Sequence, residues 1–140
     1  MKIPKKISYE VPQGDYRARL AAVIEVAEVA KGRPEEGLRF VFVLTSLKHP
    51  RLEYRAGKNY ALSELDKLGN DLDNWLGEDF VELLDADNEI STEKLKDLIG
   101  REVDVEIVLC SGGGAYKSPF RYIVRLLPPG ALVDDTIAAA

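Results

Sequence analysis

The sequence has very few of the residues that build disulfides and metal centres. One cysteine, Cys110, and one histidine, His49, occur among 140 residues. A single cysteine cannot form an internal disulfide, and a structural zinc site needs about four cysteine or histidine ligands. We therefore expect neither a disulfide framework nor a metal site, and nothing in the sequence calls for a cofactor.

Long apolar runs are also missing. No run approaches the roughly 18 residues that span a membrane, and the lysines near the start are not followed by the apolar core of a signal peptide. With one cysteine and no export signal, a reducing cytoplasm is the expected location, with no membrane partner. The length predicts a single domain over residues 1–140, with 1–14 as an N-terminal arm and 131–140 as a loosely held tail.

Catalytic motifs are not found either. His49 precedes Pro50 and has no serine or cysteine partner in an elbow motif. The loop Gly112-Gly113-Gly114 lacks the Lys-Ser/Thr of a phosphate-binding loop and lies between two predicted strands, so we interpret it as a hairpin turn. We expect a protein that is not an enzyme.

Charge is distributed unevenly along the chain. Residues 1–58 carry 12 Lys and Arg against 7 Asp and Glu, whereas residues 59–106 carry 4 against 15, within a net charge of −5. This segregation is a hint of a polyanion-facing surface on one side of the molecule and a partner-facing acidic surface on the other.

Apolar and polar residues alternate with the period of a strand over 16–26, 38–45, 103–109 and 121–127. The stretch 20–30 also has helix propensity, but its valines favour a long, curved strand. A short third strand is predicted at 52–55, followed by a turn at Ala56-Gly57-Lys58 and a possible continuation at 59–62. Phe40, Phe42 and Tyr122 are expected in the core.

Helical spacing appears between the third and fourth strands. Ser63 is the expected N-cap of a helix in which Leu65, Leu68, Leu72 and Trp75 share one face, and Gly77 ends it. A second, short helix starts after Ser91 or Thr92 and ends at Gly100. This order predicts a mainly β, α+β fold: a five-stranded OB-like barrel with one or two helices between strands 3 and 4. The alternative is another small α+β sheet domain with its helices on one face.

Several segments together resemble a family of small phage and prophage proteins described as OB-fold, single-stranded-DNA-binding-like. They are VPQGDYRARL, GKNYALSELDKLGNDLDNWLGEDF, LKDLIGREVDVEIV and YKSPFRYIVRLLPPG. The resemblance extends from about Val11 to Gly130 and includes Trp75, Gly77 and Gly100. It implies an OB-fold and a role in phage DNA replication or recombination.

Basic and aromatic residues are interleaved where an OB-fold binds single strands, on strands 2 and 3 and on the loops between strands 1 and 2 and strands 4 and 5. Aromatic rings stack on bases while cations contact phosphates. The candidate nucleic-acid-binding residues are Arg17, Arg19, Lys31, Arg33, Arg39, Tyr54, Arg55, Tyr116, Lys117, Arg121 and Arg125.

Two other functions stay open. The acidic segment 78–89 is the candidate docking surface of a protein-interaction adaptor that uses the OB-like domain as a scaffold. The second open function is that of an assembly component of a phage particle, for which the sequence contains no specific feature. Trp75 is interpreted as a core residue that plugs the end of the barrel.

Overall fold

The protein, described from a computed structural model over residues 11–30, 32–47, 53–110 and 120–134, is mainly β. Its five strands are β1 (Gly14–Val26), β2 (Gly37–Leu44), β3 (Arg55–Ala61), β4 (Glu102–Cys110) and β5 (Phe120–Leu127). Helix α1 (Leu65–Leu76) lies between 3-10 turns at Leu62–Glu64 and Gly77–Leu83, and α2 (Thr92–Lys96) follows. The predicted order of strands and helices is confirmed.

All five strands form one antiparallel sheet in the order β3-β2-β1-β4-β5. The two edge strands, β3 and β5, contact each other, and α1 packs against both. Within the described residues no hydrogen-bonded ladder joins β3 to β5. The sheet is therefore curled so that its two edge strands are in contact, but hydrogen bonds between the described residues do not close it into a barrel.

A β-bulge changes which face of β1 is buried. Leu20 pairs with Phe42, but Ala22 pairs with Val41, so Ala21 is an extra residue. Before the bulge the buried positions are even-numbered; after it Val23 is buried and Ile24 is 45% exposed. The prediction of one buried face from Tyr16 to Val26 is wrong beyond Leu20, because an extra residue reverses the alternation.

A second bulge does the same in β5. Glu106 pairs with Arg125 and Ile107 pairs with Ile123, which leaves Val124 as the extra residue. Ile123 is buried, whereas Tyr122 is 43% exposed. The assignment of Tyr122 to the core is therefore wrong.

Strand β3 is longer than its sequence suggests. Ala56, Gly57 and Lys58 were predicted to turn the chain, but they lie inside β3 and pair with consecutive residues of β2. The Cδ of Arg39 lies 3.8 Å from the position that a Cβ on Gly57 would occupy. The glycine thus forms extended backbone beside a long neighbouring side chain, where a turn was expected from its conformational freedom.

The start of the helical segment also differs from the prediction. Ser63 lies within a 3-10 turn, and its hydroxyl donates a hydrogen bond to the Glu35 carboxylate instead of capping a helix. Gly77 ends α1 with φ 57°, as expected, and the following residues continue as a 3-10 helix as far as Leu83. Ser91 caps α2 by accepting the Lys94 N–H at 3.2 Å, which confirms that prediction.

Aromatic residues occupy the centre of the core. Phe40 and Phe42 are fully buried, as predicted, and the Trp75 ring packs edge-to-face on Phe42 with centroids 6.2 Å apart. The Trp75 Nε1–H donates to the Glu102 carbonyl at 2.8 Å. Trp75 therefore joins α1 to both β2 and β4, and its assignment to the core is confirmed.

Candidate nucleic-acid interface

Three strands present arginines on one outward face of the sheet. Residues that lie directly opposite in antiparallel strands project to the same side. Arg19 of β1 lies opposite Val43 of β2, which lies opposite Arg55 of β3. Arg39 lies on the same outward side, four residues before Val43 along β2. We call this surface, with Arg19, Arg39 and Arg55, the arginine face.

The middle of the arginine face has small side chains. Ala22, Val41 and Gly57 lie opposite one another between the Arg39 row and the Arg19–Arg55 row. Arg39 is held over this region by its hydrogen bond from Nε to the Asn59 Oδ1, at 2.9 Å. The face therefore has small side chains in its middle and arginines at both ends.

One carboxylate competes for these cations. Glu53 accepts from Arg55 Nη2 at 3.0 Å, and its other oxygen lies 3.7 Å from Arg19 Nη2. The three side chains are 42–59% exposed, so these ion pairs are weak and exchangeable with solvent.

A cleft of about 340 Å³ adjoins the arginine face where β3 and β5 meet. Arg55 and Gly57 line it from β3, and Arg121, Tyr122 and Ile123 line it from β5. Burial raises the pKa of Tyr16, and the positive charge of Arg121 partly offsets that rise. We call this feature the edge-strand cleft.

Tyr122 is the residue that sequence reasoning missed. Its ring is 43% exposed beside two arginines, but the alternation of apolar residues in β5 assigned it to the core. The bulge that turns it outward has no sequence signature here, since no glycine stands at the extra position. Tyr54 is by contrast half-buried and packs against the core.

Two other predicted residues, Arg33 and Arg125, do not join this surface. Arg33 forms ion pairs with Glu35 at 2.9 Å and with Glu64 at 3.0 Å. The hydrogen bond to Glu64 raises the pKa of Arg33 most, and the hydrogen bond to Glu35 raises it further. Arg125 pairs with Glu106 at 2.7 Å on β4 and β5. Lys31, Tyr116 and Lys117 lie outside the described residues.

Arg17 has a structural environment. Its side chain is only 12% exposed, and its Nε donates to the Asp104 Oδ1 at 2.5 Å, with Glu102 at 3.4 Å from Nη1. This guanidinium lies between two carboxylates, so Arg17 is not part of the arginine face.

Asp104 also anchors the segment after β5. Its fully buried Oδ2 accepts the backbone N–H groups of Gly130, Leu132 and Val133 at 2.8–2.9 Å. Burial raises the pKa of Asp104, but the hydrogen bonds from Arg17 and from the Val133 and Leu132 N–H groups outweigh burial and leave the pKa lowered. The tail expected to be loosely held thus begins with anchored residues, and 135–140 lie outside the described residues.

The acidic segment 78–89 forms a 3-10 helix and a tight loop. Asp79 pairs with Arg101 at 2.7 Å, and the Asp85 carboxylate accepts the N–H groups of Asp87 and Glu89. Val81 is 67% exposed between Glu78 and Glu82. Most of the segment's other carboxylates are exposed to solvent.

Across the described ranges, no group of three or more His, Cys, Asp or Glu side chains is placed to hold a metal ion. No helix in that part of the chain is long and apolar enough to cross a membrane. No protein-family model matches the sequence, and no curated protein matches it.

Proposed function

We propose that the protein is a non-enzymatic, single-stranded nucleic-acid-binding protein that uses the arginine face and the edge-strand cleft. The observation that carries the proposal is the placement of Arg19, Arg39 and Arg55 on one face of three adjacent strands. This face continues into a cleft containing Arg121 and the exposed ring of Tyr122.

The proposed interface combines two interactions with nucleic acid, electrostatic attraction of phosphates and stacking on bases. Arginines contact phosphates along a backbone, while an aromatic ring stacks on a base and contributes about 1–3 kcal/mol. Small residues at Ala22, Val41 and Gly57 separate Arg39 from Arg55 along the face, and a strand bound to both arginines would pass over them. To contact Arg19 and Arg55, a phosphate must displace the Glu53 carboxylate from them.

An OB-like barrel is part of the same proposal. The strand order β3-β2-β1-β4-β5, the contact between the edge strands, and the packing of α1 on both of them support it. In OB-folds the face of strands 2 and 3 binds oligonucleotides, which agrees with the position of Arg39 and Arg55. The role in phage DNA replication or recombination is supported by the sequence resemblance alone.

The test is fluorescence anisotropy with a labelled oligo-dT at low salt. The wild type should bind and weaken steeply as salt rises. The double variant Arg39→Gln/Arg55→Gln should bind more weakly, and its slope of log affinity against log salt should be shallower by about 1.4, at ~0.7 per lost phosphate contact.

The matched control is Arg33→Gln/Arg125→Gln, which removes the same charge from two other surfaces and should leave the slope unchanged. Equal effects of the two double variants, or no binding by the wild type, would contradict the proposed interface.

Removing the competitor should have the opposite effect. Glu53→Gln frees Arg19 and Arg55 from their shared carboxylate, so we expect oligo-dT to bind several-fold more tightly in the same assay. Unchanged or weaker binding would show that these arginines do not face the nucleic acid.

A second candidate function is a protein-docking adaptor that uses the acidic segment 78–89. The exposed Val81 between Glu78 and Glu82 supports it. Charge reversal at Glu78 and Glu82 should then abolish capture of a defined partner, while oligo-dT binding is retained.

A further inference from the structure

A second concave surface lies between the end of β1, the start of β2 and the helical segments. Its volume is about 500 Å³. Leu38, Leu68 and Leu95 form its buried floor, and Leu62 and Leu65 stand at its edge with 49% and 46% of their surface exposed. We call it the leucine groove. Half-exposed leucines over a buried leucine floor offer apolar surface that a partner could cover.

The rim of the leucine groove is acidic. Glu25 and Glu36 line it and are exposed, and no Lys or Arg is among the described residues that line it. Neither carboxylate makes an ion pair or side-chain hydrogen bond within the described part of the chain. Nearby Glu35 and Glu64 are already paired with Arg33. Such a rim repels phosphates, so the leucine groove is separate from the proposed nucleic-acid interface.

The backbone beside the groove is paired on the β2 side of β1. Val26 pairs with Gly37, and Gly37 pairs with Ala61 on its other side. The ladder between β1 and β4 ends at Arg19, so among the described residues no strand pairs with residues 22–26 on the other side of β1. The groove presents leucine side chains at its floor and edge. An amphipathic helix satisfies its own backbone hydrogen bonds and recognises such a surface by inserting its apolar side into it.

We propose that the leucine groove docks a basic amphipathic helix of a protein partner. Leucine-like side chains of that helix pack on Leu62, Leu65 and the buried floor. Its lysines or arginines pair with Glu25 and Glu36 at the rim. This site is independent of nucleic-acid binding, and it lies apart from the acidic segment 78–89.

The probe is a labelled synthetic helix of Lys, Leu and Ala, with leucines at helical spacing and lysines on the opposite side. We expect saturable binding to the full chain at low ionic strength, with amide shifts concentrated at Leu62, Leu65 and Thr92. Glu25→Lys/Glu36→Lys should weaken binding about tenfold, since two exposed ion pairs with the helix become repulsive. The control Glu78→Lys/Glu82→Lys makes the same charge change elsewhere and should bind as the wild type does.

Four results would overturn the proposal. One is the absence of saturable binding, and another is equal weakening by the two charge-reversed variants. The third is that the chain forms a concentration-dependent dimer in sedimentation that Leu65→Glu dissociates, since a second copy would then cover the leucine groove. A peptide with glutamate in place of lysine should not bind, and its binding equally well would also exclude the charged rim as the basis of recognition.

Discussion

At the scale of single residues, Asp104 has the most demanding environment. It is the one charged residue that is fully buried in the described part of the chain. One oxygen faces Arg17, and the other receives three backbone N–H groups of the segment after β5. A buried carboxylate is tolerated only when its hydrogen-bonding capacity is used in this way.

Removing this carboxylate should be costly. Asp104→Ala removes one acceptor of the Arg17 guanidinium and the acceptor of three backbone N–H groups, so we expect a loss of about 3–5 kcal/mol in the free energy of unfolding. Asp73→Ala, which removes an exposed carboxylate from α1, should change it by less than ~0.5 kcal/mol. Urea unfolding measures both, and a small effect at Asp104 would show that its hydrogen bonds contribute little.

Asp104 also makes stability depend on pH. Its pKa is lowered in the folded protein, so the unfolded state takes up a proton at higher pH than the folded state does. The stabilisation is fully present above the unfolded pKa of about 3.9 and is lost as pH falls through the lower folded pKa. The difference in unfolding free energy between the wild type and Asp104→Ala should therefore shrink below about pH 4. A difference that is constant from neutral pH to acid would contradict this.

At the scale of strands and helices, two glycines have opposite constraints. A Cβ on Gly37 would overlap the Tyr60 carbonyl oxygen and the Val29 Cγ1, whereas a Cβ on Gly69 in α1 would meet no atom within 4 Å. Gly37 is therefore needed for the close approach of β2 and β3. Gly69 only lowers the helix propensity of α1.

The two alanine substitutions should consequently move stability in opposite directions. Gly37→Ala should lower the free energy of unfolding by about 1–3 kcal/mol, because neighbouring backbone must move. Gly69→Ala should raise it by about 0.5–1 kcal/mol. Thermal unfolding of both variants checks the pair, and a stabilising Gly37→Ala would mean that the strands are less closely packed than described.

The elements that the sequence predicts well are those with uninterrupted periodicity. Leu68, Leu72 and Trp75 recur at helical spacing and do form the buried side of α1. The faces of β1 and β5 were predicted only in part, because the bulges at Ala21 and Val124 are set by pairing with distant strands. The alternation within one strand does not show which of its residues will have no opposite residue on the neighbouring strand.

The same limitation applies to the candidate site. Arg17 has the sequence context of an exposed residue, but its partner Asp104 lies 87 positions away. Tyr122 has the context of a core residue, but the bulge exposes it. Arg39 and Arg55 were predicted as candidates, and their common face follows from strand pairing that no local pattern specifies.

At the scale of the whole molecule, charge is separated between surfaces. Arg19, Arg39, Arg55 and Arg121 lie on the arginine face and the edge-strand cleft, while Glu25 and Glu36 border the leucine groove. A chain with net charge −5 can attract a polyanion locally when its cations are grouped in this way. The leucine groove would then contact a different kind of partner.

The most direct measurement is a map of amide chemical shifts on titration with unlabelled oligo-dT at low salt. We predict that the perturbed amides cluster at Arg39, Val41, Arg55, Gly57 and Tyr122, and that added salt reverses the shifts. Perturbations confined to α1 and the leucine groove, or none at saturating oligo-dT, would contradict the proposed nucleic-acid interface.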